Sequence, residues 1–369
     1  MESSKKTLCF YIPSLTHFAG TERSLCLVAN GLSSSFHVKV LCNELTDESQ
    51  TGFPFDKNVE VVSLGLTNVK RSYFSILFRS AQFLNKNKVD FFISVEMMSL
   101  VFTAPIILML RLFYLSKIKF LAWEHFNFKT TLGKPLRQVC RRLAGFLADS
   151  IVVLTHEDQK LWKEGAYIRR DIVVINNAAT YPISTRAYPH ESKNILAVGR
   201  FTYQKAFDDL IDIWKKLSER DKNHEFKLQI IGEGSDKELL EKKIASLQLQ
   251  NSVQLIDPTS EIHRYYEAAS IYVMTSRFEG LPMVLLEAAS FGIPIIAFNC
   301  LTGPSEIVKN GENGYLVEDR DLDMFADRLQ FLIANPDLRA TMSQSNKNLV
   351  KNFDLSHIVD KWIVVLHSL

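Results

Sequence analysis

A chain of 369 residues that is 47% hydrophobic and 23% charged is long enough for two cores and too apolar for disorder, so two domains of roughly 150 to 200 residues are expected. Five cysteines without a C-x-x-C pair argue against a disulfide framework or a zinc site and fit reduced thiols. The net charge of +2 averages two unlike halves: residues 1–190 hold 23 Lys+Arg against 15 Asp+Glu, a balance of +8, and residues 191–369 hold 20 against 26, a balance of −6.

Lys5 and Lys6 ahead of the apolar run 8–15 imitate a signal peptide, but Pro13 interrupts the run and no small-residue cleavage site follows, so it reads as a first strand. Residues 16–23 continue as a turn and helix start, with Leu25, Val28, Ala29 and Leu32 at helical spacing. Strands are expected at 38–42, 91–95, 120–123, 151–154 and 172–175, with helices at 74–84 and 99–112. The uncharged stretch 97–110 is too short to span a bilayer, contains Pro105, and suits a buried or interfacial helix. A polar segment with Pro182 and Pro189 then separates a second cycle: strands at 195–198, 228–231, 253–255, 271–274 and 295–297, and helices at 210–217, 236–247, 324–338 and 355–369. Alternating strands and helices imply parallel sheets covered on both faces. The expected α/β architecture is two Rossmann-like, doubly wound domains with a ligand in the cleft where strand carboxyl ends face each other. Boundaries fall at 1–180, a linker at 181–192, 193–350, and a terminal helix at 351–369.

The most informative motif pairs Glu279 with Glu287, eight positions apart. Gly280 and Pro282, flanking Leu281, mark a loop; 284–291 reads as an apolar helix that Gly292 and Pro294 end. The first carboxylate therefore stands in the loop and the second about one turn inside the helix. Backbone N–H groups at a helix start suit phosphate, and two acceptor-only carboxylates suit a hydroxyl-rich ligand, which together describe a sugar nucleotide. Glu287, among Leu286, Ala288 and Ala289, needs a buried partner. Gly199-Arg200 follows a strand and Lys205 follows Arg200 by five residues, a cationic pair placed for a diphosphate or, on the plainer reading, surface decoration.

Weaker signals accompany these. In Ala19-Gly20-Thr21-Glu22, Gly20 permits close backbone approach and Thr21 is a candidate N-cap; a simple strand-to-helix turn is the alternative. Ile231-Gly232-Glu233-Gly234 is not a dinucleotide fingerprint, because Lys237 occupies the third glycine's place. His125, ending the strand 120–124, is either a cleft residue or a hydrogen-bonded structural histidine, and Glu124 stands beside it. Thr155-x-x-Asp158 reads as a capping box and Asp321-x-Asp323 as an acidic helix cap rather than a metal site. No nucleic-acid module or nucleophile elbow is present.

The stretch 277–294 resembles the E-x7-E motif of retaining glycosyltransferases of the GT-B fold, in particular the GT4 family that builds bacterial surface glycans. The resemblance implies that Glu279 contacts hydroxyls of the donor sugar, that Glu287 holds the ribose, and that Gly280, Leu281 and Pro282 belong to the donor-binding loop. Gly199, Arg200 and Lys205 correspond to the family's phosphate-gripping G-R and K-G residues, with Ala206 where the family has glycine. Gly20 matches a G-G-x-E loop in which Ala19 replaces the first glycine, and the Gly232 loop would approach the base. His125 would touch the donor sugar near the reaction centre. The segment 302–306 would border the donor pocket, 310–314 would form a turn, Asn177 matches the Asn of a P-N segment with Asn176 replacing the proline, and the terminal helix would cross back to the first domain.

The implied activity is transfer of a hexose or N-acetylhexosamine from a nucleotide diphosphate sugar, UDP-linked, to a lipid-diphosphate-linked glycan. It needs no resident metal or other cofactor, and no nucleic acid is a partner. A GT-B UDP-sugar epimerase and a non-catalytic glycolipid-binding scaffold are the rivals. The basic half, with Lys70, Arg71, Arg79, Lys129, Lys134, Arg137, Arg141 and Arg142 among apolar residues, suits an anionic membrane surface, which places the chain in the cytoplasm, peripheral on the inner face of the membrane. A solvated helix face is the alternative for the same residues.

Overall fold

The computed structural model describes residues 5–16, 19–44, 51–113, 117–220 and 225–369. They divide into two compact units, one of Met1–Ala178 with Leu355–Leu369 and the other of Ala179–Asp354. The first unit holds strands β1 (Thr7–Ser14), β2 (His37–Glu44), β3 (Val59–Ser63), β4 (Phe91–Val95), β5 (Lys119–Trp123), β6 (Ser150–Val153) and β7 (Asp171–Val174). Its helices are α1 (Gly20–Leu32), α2 (Tyr73–Lys86), α3 (Leu100–Phe113), α4 (Leu136–Leu147) and α5 (His156–Gly165). The strands pair in parallel in the order β3-β2-β1-β4-β5-β6-β7, with Phe10 between Val40 and Ile93 in register.

Apolar runs rather than alternation build this sheet because helices cover both faces. On one face Cys9, Tyr11, Phe92 and Phe120 share a core with Ile76 of α2, Ile107 of α3, Cys140 of α4 and Trp162 of α5. On the other, Phe10 and Trp123 meet Trp362, whose ring lies 4.9 Å from that of Trp123.

The second unit holds β8 (Asn194–Val198), β9 (Lys227–Ile231), β10 (Val253–Ile256), β11 (Ala269–Met274), β12 (Ile295–Phe298) and β13 (Gly314–Val317). Its helices are α6 (Phe207–Arg220), α7 (Lys237–Ser246), α8 (Ile262–Ala268), α9 (Met283–Ser290), α10 (Pro304–Ile307), α11 (Leu322–Ala334) and α12 (Pro336–Leu349). The parallel order is β10-β9-β8-β11-β12-β13, over a core containing Ile195, Trp214, Ile230, Ile271, Phe298 and Phe325. The last helix, α13 (Leu355–Ser368), carries Trp362 and packs with α1 in the first unit.

Several expectations change. The helix expected at 324–338 is two, α11 and α12, because Asn335 before Pro336 leaves helical geometry at φ −123°, ψ 73°. The strand β3 and the helices α4, α8 and α12 were not anticipated, and of α5 only the start was read, as a capping box. Thr21 lies inside α1, and Ala19, which has no side-chain acceptor, is the N-cap; residues 17 and 18 of that turn lie outside the described residues. Thr155 does cap α5, accepting from Asp158 N at 3.0 Å, but the Asp158 carboxylate accepts from Phe128 N at 2.7 Å instead of completing a reciprocal box.

The largest correction concerns Arg137 and Arg141 of α4, expected at a membrane surface. They are 3% and 0% exposed. Arg137 pairs with Glu96 and Arg141 with Glu124, the latter at 2.7 Å. Glu96 and Glu124 follow the adjacent strands β4 and β5, so two guanidiniums four residues apart on one helix reach two neighbouring strand ends.

Candidate active site

In the second sheet the chain lays down β8, builds β9 and β10 to one side, then crosses to place β11 on the other. Such a reversal opens a crevice at the strand carboxyl ends. The loop leaving β8 carries Gly199, Arg200 and Lys205; the loop leaving β11 carries Glu279, Gly280, Leu281 and Pro282. The two loops are joined along their length. Lys205 Nζ donates to Glu279 Oε1 at 2.7 Å, Gln204 Nε2 to the Phe278 carbonyl at 3.1 Å, and Arg277 N to the Gln204 carbonyl at 2.8 Å. Arg277 also stacks over Tyr203 at 4.3 Å and pairs with Asp208 and Asp209 at the start of α6. That pairing holds the Asp208 carboxyl below its ordinary range against the opposing effect of burial.

Backbone geometry matches this joining. A Cβ on Gly232 would stand 1.9 Å from the Gly199 carbonyl oxygen, so only glycine lets the β9 loop approach the β8 loop. Gly303, at φ 102°, packs against the Gly280 carbonyl in the same way, and Thr302 Oγ1 donates to the Glu279 carbonyl at 2.6 Å. Ala206 takes the glycine-favouring conformation at φ 50° despite its methyl, at a cost of about 1 kcal/mol, and its carbonyl is held by Thr275 Oγ1 at 3.0 Å. The backbone path therefore survives the loss of glycine there. Arg200 is exposed, with no ion pair among the described residues.

Glu287 points elsewhere within the same unit. It is 4% exposed and accepts from Tyr266 Oη at 2.6 Å. Burial first, then the Glu287 charge, push the Tyr266 hydroxyl well above its ordinary pKa, so it remains a donor. Tyr266 stacks on Phe291 at 5.3 Å and on Tyr272 at 6.0 Å, which fixes the hydroxyl under α9. Cys300, near Glu279, is no nucleophile: burial first and then Glu279 push its thiol up to about 12.

Gly20 and His125 belong to the first unit. Gly20 opens α1 after β1, at the point where that sheet reverses between β1 and β4. His125 is 7% exposed, its ring centroid 4.4 Å from that of Trp123. Burial pulls its pKa down to about 3, so the ring is neutral at pH 7. Its Nε2 has no hydrogen-bond partner among the described residues.

The segment carrying His125 is pinned on both sides. Glu124 Oε1 accepts from Phe126 N at 3.1 Å, while Arg141 donates to the Phe128 carbonyl at 2.8 Å and the Thr130 carbonyl at 2.9 Å. Burial first, then Glu124, raise the Asp158 carboxyl well above its ordinary range. Sequence reasoning noted Glu124 but missed Tyr266, Arg277 and the Arg141 network, whose signal is spread over segments up to 74 residues apart. The Asn176 side chain, standing where the resembled family has proline, donates to the Leu154 carbonyl at 2.8 Å; Asn177 accepts from Ser24 Oγ at 2.8 Å. Asp321 caps α11 through Met324 N at 2.9 Å, and Asp323 pairs with Lys216. Among the described residues, no cluster of three or more His, Cys, Asp or Glu could hold a metal ion.

Two doubly wound parallel sheets, the second with a Lys–Glu pair at its reversal point, define a two-domain protein of the GT-B class. Known proteins agree. The pattern defining the family Glycosyl transferases group 1 matches residues 185–349. An uncharacterized glycosyltransferase of Haemophilus influenzae is 30% identical over 364 residues, 98% of this chain and 100% of its own. The Campylobacter jejuni GalNAc-alpha-(1->4)-GalNAc-alpha-(1->3)-diNAcBac-PP-undecaprenol alpha-1,4-N-acetyl-D-galactosaminyltransferase is 24% identical over 365 residues, 96% of this chain and 97% of its own. In fold, the chain matches Anabaena Alr3699/HepE in complex with UDP-glucose with a TM-score of 0.80 at 18% identity, covering 98% of this chain and 100% of that one. The chain belongs to the group 1 glycosyltransferases.

Proposed function

We propose that this chain is a retaining transferase that moves a hexose or N-acetylhexosamine from a UDP-sugar to a lipid-diphosphate-linked glycan, in the assembly of a bacterial surface polysaccharide at the inner face of the cytoplasmic membrane. The observation that carries this reading is the Lys205–Glu279 pair at the reversal of the second sheet, with Arg200, on the Lys205 loop, in no ion pair among the described residues. A diphosphate entering there meets two cations, and Glu279 turns to the hydroxyls of the attached sugar. Glu287, which accepts from Tyr266, is the carboxylate assigned to a ribose hydroxyl in this reading. The UDP-glucose complex of HepE and the undecaprenol-linked acceptor in the Campylobacter relative's name support the donor and acceptor classes.

In the proposed step the bond from the anomeric carbon to the phosphate oxygen breaks. The acceptor oxygen bonds to that carbon on the same face, and its proton passes to the departing phosphate. Arg200 and Lys205 neutralise the growing charge; the role proposed for His125 is that of an uncharged sugar contact, its ring neutral and its Nε2 without a partner among the described residues. The anomeric proton coupling of the product, followed by NMR with a panel of UDP-sugars and a lipid-linked acceptor, tests the reading. Product of inverted configuration, or sugar interconversion without acceptor, would overturn it. Because protein cations take the phosphate charge, transfer is expected to persist in chelator; loss that magnesium or manganese restores would contradict that assignment.

A further inference from the structure

We infer that the outer face of α2, α3 and α4 inserts apolar side chains into the headgroup region of an anionic phospholipid bilayer. The inference rests on the membrane arm of the proposed function and changes its physics from surface attraction to partial burial.

The three helices lie against one face of the first sheet and share its core. Their outward positions include large apolar side chains where a water-facing helix would be polar, although α2 also exposes Arg79, Gln82, Asn85 and Lys86. Phe74 of α2 is 82% exposed and Phe113 of α3 is 79% exposed, with Phe78 and Leu112 beside them. In α4 the pattern is partly inverted. Leu136, Val139, Leu143 and Phe146 follow helical spacing and are all exposed, while Arg137 and Arg141 are turned into the protein. Burying two guanidiniums is costly unless each is paired, and Glu96 and Glu124 supply those pairs. Large apolar side chains exposed on three neighbouring helices are the kind of surface that marks an interaction site.

Charge selects the partner. Not one Asp or Glu occurs in α2, α3 or α4. Arg71, Arg79, Lys134 and Arg142 stand exposed at or near the apolar positions. Beside Phe146, a concavity of about 500 Å³ is lined by Lys117, Lys119, Arg169 and Arg170, with Arg111 paired there to Asp149 at 2.6 Å. Apolar side chains with a surplus of cations around them suit acyl chains beneath anionic headgroups. No helix among the described residues is long and apolar enough to cross a membrane, so the contact is with one leaflet.

The test is co-sedimentation of the full chain with phosphatidylethanolamine vesicles containing phosphatidylglycerol, and with pure phosphatidylcholine vesicles, at low salt and at about 1 M salt, where the Debye length is about 3 Å. Wild type should retain binding to the anionic vesicles in high salt. Phe74→Ser/Phe78→Ser/Val139→Ser/Phe146→Ser should lower binding at least tenfold, given what each large side chain gains on burial, and remove the salt-resistant fraction. Arg71→Glu/Arg142→Glu should reduce only the salt-sensitive fraction. Phe146→Trp gives an independent readout, because the four native tryptophans are buried: emission should shift to the blue with anionic vesicles in high salt.

Equal binding by wild type and the four-serine variant, with no emission shift, would overturn insertion while leaving electrostatic docking standing. A wild-type dimer that the serine substitutions dissociate, with no vesicle binding, would assign the face to a second copy of the chain and overturn the inference. UDP binding by the same preparations should stay within about twofold throughout. Its absence in wild type would count against the transferase reading alone.

Discussion

Acidification from pH 7 to pH 5 should destabilise the first unit through His125. The ordinary histidine pKa is 6.5, and burial lowers that of His125 to about 3. Between those values the unfolded chain binds a proton that the folded chain does not, so stability is complete above pH 6.5 and falls as pH drops toward 3. At pH 5 the difference is about 1.5 units, or about 2 kcal/mol at 1.36 kcal/mol per unit, and the ceiling near pH 3 is about 5 kcal/mol. Urea unfolding of wild type and His125→Gln at both pH values isolates this contribution from titrating carboxylates, which the two proteins share. Wild type should lose about 2 kcal/mol more than the variant. Equal losses would refute the claim that His125 is held neutral by burial, and with it the uncharged role given to the ring.

Arg200→Ala and Lys205→Ala should each lower turnover at least about a hundredfold, as loss of charge stabilisation at a leaving group does; near-normal turnover of a folded double variant in a steady-state assay would remove the phosphate assignment. Glu287→Ala should weaken UDP binding in calorimetry because ribose contacts exist before and during reaction, and should cost about 1–3 kcal/mol of stability by leaving the buried Tyr266 hydroxyl without its acceptor. Unchanged UDP affinity would count against the ribose role. Arg141→Met should cost about 3–5 kcal/mol in denaturant unfolding, since Glu124 would be left buried and unpaired, and Arg141→Met/Glu124→Gln should recover part of the loss. No recovery in the double variant would refute the pair.

Local pattern by itself determined the two parallel sheets, because strands buried on both faces must be apolar runs such as 91–95, and the helices between them must keep 3.6-residue periodicity. It also determined the motif at 279–287, since loop-forming Gly280 and Pro282 and the helix after them are short-range signals. Helix α4 escaped for the opposite reason: its inward face mixes Arg137 and Arg141 with Cys140, Ala144 and Leu147 while Leu136, Val139, Leu143 and Phe146 face outward, so periodicity without partners gives no direction. The strand β3 is short and only partly buried, and the seven-residue α8 has little room for a period to show. Tertiary structure alone decided that Arg137 and Arg141 serve the interior, because burying a guanidinium requires acceptors that meet it, and here these are Glu96 and Glu124, 41 and 17 residues away. It likewise decided that Lys205 meets Glu279 across 74 residues, an encounter set by which strands neighbour β8 and not by anything local to either loop.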